Sequence, residues 1–126
     1  MNHLIHEELT DRVLRSAVAV HRALGPGLTE YSYQAAMALE MEAQQLAFVR
    51  ERPIPVEFRG TIVGRHRPDF VVEQSVVVEI KSVSRIEPVF IKQVLTYLRV
   101  THLRVGLLLN FNVPSMVDDG IKRLVL

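Results

Sequence analysis

The stretch that decides the fold is Pro68 to Lys81, PDFVVEQSVVVEIK. Phe70-Val71-Val72 and Val76 to Ile80 are rich in β-branched residues and separated by the polar turn Glu73-Gln74-Ser75, so they read as two antiparallel strands. The second is an almost unbroken apolar run, as expected of a strand covered on both faces. Glu79 and Lys81 interrupt it. An unpaired charge away from water is costly, so charges at the end of such a strand imply a use for them. Two positions apart, they share one face, while Val78 and Ile80 take the other. Asp69, behind Pro68 on the preceding strand, reaches the same end across the turn. Two carboxylates and an ammonium are therefore predicted to converge at one edge of a sheet.

Working outward, Ile5, Leu9, Val13, Ala17, Val20 and Leu24 recur at three- and four-residue steps and predict an amphipathic helix that stops at Gly25-Pro26-Gly27. A second helix is expected from Thr29 or Glu30 to Gln45, with Ala36, Leu39, Ala43 and Leu46 inward. Pro53 and Pro55 then forbid helix. Val56-Glu57-Phe58, the turn Arg59-Gly60 and Thr61-Ile62-Val63 read as a hairpin whose return strand runs on into Phe70 to Val72. Pro88 suits the first turn of a third helix reaching Val100, with Phe90, Val94, Leu95 and Leu98 inward. Val105 to Leu109 is another buried strand, and Met116 to Leu124 reads as a short final helix. A helix between two buried strands makes a right-handed parallel crossover. The fold class is therefore α/β, with a mixed four-stranded sheet in the order αβββαβ and an additional N-terminal helix, expected to form one domain over residues 1–126.

The chain has no cysteine, which excludes disulfides, thiolate metal sites and a thiol nucleophile. Its start has no basic segment leading into an apolar one, and its apolar runs are too short to span a bilayer, so the expectation is a cytoplasmic protein with no membrane partner. Net charge is +1. It is unevenly spread: from Arg50 to Arg104 ten Lys/Arg stand against six Asp/Glu, and elsewhere five stand against eight. The basic middle favours a polyanionic partner, and an uneven solvated surface is the plainer alternative.

The acidic edge suits phosphodiester hydrolysis. Magnesium prefers oxygen ligands and keeps several waters, so Asp69, Glu79 and the backbone carbonyl of Ile80 form a sufficient protein share of its shell. Lys81 would orient a water or offset charge in the transition state. The same residues also fit a Glu79–Lys81 or Asp69–Lys81 ion pair at a strand end. Repulsion within an empty metal site predicts that Asp69→Ala is neutral or slightly stabilising, whereas the ion pair predicts a large loss. Glu30 opens the second helix, where a carboxylate also favours the helix dipole. Gln93 and Tyr97, four apart, share a helical face. His3, His6, His21, His66 and His102 lack metal-ligand spacing; His3 and His6 read as solvated, and His21 is open.

Together these residues resemble the PD-(D/E)XK nuclease superfamily, in which a helix-borne Glu, an Asp and an E-x-K pair build a metal site. Pro68-Asp69 and Glu79-Ile80-Lys81 match the signature, Glu30 matches the helix acid, and Gln93-x-x-x-Tyr97 is similar to the Q-x-x-x-Y element of the recombination-type exonuclease branch. The opening, Val20-His21-Arg22, Leu24 to Leu28, Glu30 and Tyr33, resembles the small bacterial GxxExxY group, as do Gly106-Leu107-Leu108, Asn110-Phe111 and Gly120 to Arg123. The resemblance implies a restriction-endonuclease-like core and a Mg2+- or Mn2+-dependent nuclease acting on DNA. Its catalytic residues would be Glu30, Asp69, Glu79 and Lys81, and its metal ligands Asp69, Glu79 and Ile80. Gln93 and Tyr97 would bind substrate, with His21 and Tyr33 as auxiliary residues. Two alternatives stand beside it: a non-catalytic nucleic-acid- or partner-binding module on the same fold, and a homodimer formed through the apolar faces of the N-terminal helices.

Overall fold

The computed structural model describes residues 5–126, so His3 lies outside the described residues. The elements are α1 (Glu7–Leu24), α2 (Glu30–Ala43), β1 (Phe48–Arg50), β2 (Ile54–Phe58), β3 (Thr61–His66), β4 (Phe70–Val72), β5 (Val76–Lys81), α3 (Pro88–Thr101), β6 (Val105–Asn110), α4 (Met116–Asp119) and β7 (Ile121–Val125). Among the described residues no helix is long and apolar enough to cross a membrane.

The expected mixed sheet is present, and it has five strands rather than four, in the order β1-β4-β5-β6-β7. β5 and β6 are parallel, with α3 as their crossover, and the other neighbours are antiparallel. The αβββαβ core is therefore α2-β1-β4-β5-α3-β6. The β2–β3 hairpin does not feed the sheet as expected. It is a separate two-stranded sheet inserted between β1 and β4. Three-residue β1 is too short for a periodicity signal, and pairing with β4 makes it a strand. The final helix expected to reach Leu124 stops at Asp119, because Gly120 follows and Ile121–Val125 hydrogen-bonds to the free edge of β6.

Alternation on β5 sorts the layers. Val76, Val78 and Ile80 join the core with Val13, Ala17 and Val20 of α1 and Met37 and Met41 of α2, while Val77 packs with Tyr97 and Leu98 of α3 on the opposite face. Most of the apolar stripe of α1 and the buried stripe of α2 are thus consumed inside the chain, and nothing in the packing of the described residues supports a dimer through these helices. The buried stripe of α2 is Tyr33, Gln34, Met37, Ala38 and Met41. Ala43 is exposed and Leu39 is 69% exposed, contrary to expectation, while Leu46 is buried. This helix carries apolar residues nearly all round, so periodicity names no unique face, and Gln34 is inside because it finds polar partners.

Gly106 lets α3 approach β6. A Cβ there would lie 2.6 Å from Val94 Cγ1, and Val is stiff about χ1. Gly106→Ala should lower stability by about 1–3 kcal/mol despite alanine's better backbone entropy. Chemical denaturation measures this, and an unchanged midpoint would mean that the α3–β6 contact has slack.

Candidate active site

β4 and β5 pair from Val72↔Val76 to Phe70↔Val78. Extending that register by two sets Pro68 opposite Ile80. Lys81 O accepts from Phe111 N–H on the β6 side, so the polar groups of Ile80, one residue earlier, point to the β4 side. Proline has no N–H to give the Ile80 carbonyl, so the ladder, whose last pair is Phe70↔Val78, cannot continue to Ile80.

Side chains take over where the ladder stops. Asp69 Oδ2 accepts the Ile80 N–H at 2.7 Å, and Glu79 Oε1 accepts the Asp69 N–H at 2.7 Å. The two carboxylates that sequence placed at one edge are thus laced together through each other's backbone. Glu79 is buried, at 4% exposed. Loss of water, and then the charge of Asp69, push its carboxyl up from 4.5 to about 8. Burial likewise raises Asp69, against the opposing hydrogen bonds from Ile80 and Gln34.

Lys81 forms no ion pair with either acid. Among the described residues the one salt bridge is Arg85–Glu87, and the Lys81 Nζ sits 4.6 Å from the Phe90 ring centroid. Its charge still eases ionisation of Asp69 and Glu79. The ion-pair alternative therefore fails on geometry, and the ammonium keeps its hydrogen-bonding capacity.

Glu30 is the first residue of α2, exposed, and its negative charge adds to the upward pressure on both acids, which puts it on their side of the molecule. Ser82 Oγ donates to Leu28 O at 2.6 Å, tying the loop before Glu30 to the end of β5. Tyr97 lies against the site: burial first, then the charges of Glu79 and Asp69, drive its hydroxyl to about 12, while the Gln93 amide works the other way. The His66 ring meets Tyr97 edge-on at 6.0 Å.

His21 and Tyr33 are not brought to the acids. His21 Nε2 is 2.8 Å from Val113 O, and Tyr33 OH donates to Gly25 O at 2.5 Å while accepting the Leu28 N–H at 3.1 Å. Tyr33 supports the Gly25–Gly27 corner and stacks on Phe111 at 4.7 Å, while His21 ties α1 to the loop after β6. Sequence reasoning missed Gln34. Its Nε2 donates to Asp69 Oδ1 at 2.5 Å, and its Oε1 accepts from Arg50 at 3.2 Å. The available signal was its place four residues after Glu30 on the same helical face. These bonds also revise the expectation for Asp69→Ala, which strands the Ile80 N–H and the Gln34 amide at a cost of about 1–3 kcal/mol for each buried donor.

The donor set fits a hard divalent ion: two carboxylates and the Ile80 carbonyl, which lacks its ladder partner, are all oxygen. No group of three Asp, Glu or His side chains is gathered for a metal among the described residues, so the protein share is two side chains and one backbone atom.

Linkage gives a test of the acidic pair. The unfolded chain releases the Glu79 proton near 4.5 and the native chain near 8, so the unfolded state binds fewer protons between those values and stability falls as pH rises across them. Glu79→Gln keeps an oxygen for the Asp69 N–H and removes this slope. Its stability relative to wild type should climb from pH 5 to 9, by as much as a few kcal/mol at about 1.4 kcal/mol per pKa unit. Urea unfolding in chelator reads this directly, and parallel profiles would disprove the raised pKa.

The comparisons accord with this geometry. Residues 7–124 match the family model described as the PD-(D/E)XK nuclease superfamily. No curated protein and no solved structure matches the chain. The family match runs from the first residue of α1 to the penultimate residue of β7 and includes Glu30, Asp69, Glu79, Lys81, Gln93 and Tyr97. With its mixed sheet and the paired acids at the end of β5, the chain belongs to the PD-(D/E)XK nuclease superfamily.

Proposed function

We propose that this protein is a divalent-metal-dependent nuclease of the GxxExxY type that hydrolyses phosphodiester bonds in DNA. The observation that carries the reading is the pair of crossed hydrogen bonds, Asp69 Oδ2 to the Ile80 N–H and Glu79 Oε1 to the Asp69 N–H, which hold one buried and one half-buried carboxylate at the end of β5 with an unpaired lysine beside them. A bound Mg2+ or Mn2+, held by Asp69, Glu79 and the Ile80 carbonyl, would supply Lewis-acid polarisation of the phosphate.

The chain's own residues do the rest. Lys81 presents its ammonium to charge developing on the phosphate. Gln34 and the Ile80 N–H fix the Asp69 carboxylate, and Glu79 holds a proton at neutral pH until a cation displaces it. Tyr97 keeps its hydroxyl protonated and, with Gln93, offers donors to substrate. Glu30 adds an exposed acid within electrostatic range. A binding module without turnover is favoured by one fact: both Asp69 oxygens are already engaged by protein donors.

Calorimetry and cleavage assays separate the two. The nuclease reading expects Mg2+ or Mn2+ binding with proton release and cleavage of linear duplex DNA that chelator stops. Lys81→Met should retain metal binding and cut the rate by about 10²–10³. Metal binding without cleavage of linear, circular, single-stranded or branched DNA would leave the binding module.

A further inference from the structure

We propose that the β2–β3 hairpin is an arm that grips duplex DNA beside the acidic site; this rests on the nuclease reading and adds the element that holds the substrate. The hairpin stands apart from the five-stranded sheet. Phe58 at its tip is 60% exposed and Val63, midway along β3, is 62% exposed, too much apolar surface for a ribbon with no partner. The Arg59 guanidinium lies 5.1 Å from the Phe58 ring centroid, so a cation and an aromatic wedge share the tip.

Charge identifies the partner. The ribbon itself, Ile54 to His66, carries Arg59 and Arg65 against Glu57, Arg52 and Arg67 flank its base, and all four arginines are exposed. Such a ribbon complements a polyanion, and a two-stranded β-ribbon has the width to enter the major groove. Apolar side chains of the Phe58 kind serve as wedges at base steps.

The arm is continuous with the site. His66, at its base, meets Tyr97, and three residues later the chain reaches Asp69. From Thr61 to His66 the strand spans about 17 Å, roughly half a turn of B-DNA or 5 base pairs. A duplex with its scissile phosphate at the carboxylates is therefore within reach of the tip.

The test is fluorescence anisotropy on a labelled duplex of about 30 base pairs, three helical turns, with calcium in place of magnesium and salt varied. Arg59→Asn/Arg65→Gln respects the positive φ of residue 59 and should weaken binding and reduce the log–log salt slope by about 1.8. Arg15→Gln/Arg22→Gln removes the same charge from exposed positions of α1, on the opposite face of the sheet, and should leave the slope unchanged. Phe58→Ala should weaken binding with no change of slope. Equal loss in both arginine pairs, or none in either, with wild type still binding and cleaving DNA, overturns the arm and leaves the nuclease standing. Failure of wild type to bind any DNA overturns both. Equal affinity for single strands, or a dimer in sedimentation that Phe58→Ala dissolves without touching DNA binding, also overturns it.

Discussion

Antiparallel pairing of β4 with β5 ends at Phe70↔Val78, and beyond it Pro68 offers a ring nitrogen with no hydrogen to give. Everything at the candidate site depends on that missing donor. Had the ladder continued, the Ile80 amide and carbonyl would both be spent on the neighbouring strand, and Asp69 and Glu79 would be ordinary flanking side chains. Instead each carboxylate takes up a main-chain N–H on the other's strand. The acids are thereby held close at the end of a buried strand, where desolvation opposes ionisation of both and the charge of Asp69 adds to it at Glu79.

The surroundings hold that pair in place without neutralising it. Gln34 reaches Asp69 from α2, and Arg50 of β1 braces Gln34 from behind. Lys81 rests over Phe90 rather than in an ion pair. A structural salt bridge would have spent the lysine and collapsed the acids onto it. Keeping two carboxyl groups close together out of water, with the lysine unpaired, costs stability, a pattern associated with sites retained for function. Membership of the PD-(D/E)XK nuclease superfamily gives this pattern a chemical context.

The same chain segment that ends the ladder also leads out to the hairpin. Arg67 and Pro68 join β3 to the start of β4, so the exposed basic ribbon and the acidic pair are sequential neighbours as well as spatial ones. Opposite charge character on adjoining elements would, under the proposed nuclease function, separate two tasks: holding phosphates, and gathering a cation against one of them.

Residues 68–81 determined the centre of the fold by themselves, because unbroken β-branched runs, a polar turn and two charges at period two carry their meaning locally. They also sufficed to bring Asp69, Glu79 and Lys81 together. What sequence could not determine depended on partners distant along the chain. β1 and β7 are strands because β4 and β6 had open edges, and the hairpin is detached because its second strand ends at His66, before the sheet resumes. The buried face of α2 was chosen by packing, and Gln34 and Arg50 became part of the site only through hydrogen bonds spanning 35 and 16 residues. Local patterns specify local geometry; which polar groups satisfy one another across the core is settled only when the chain has closed on itself.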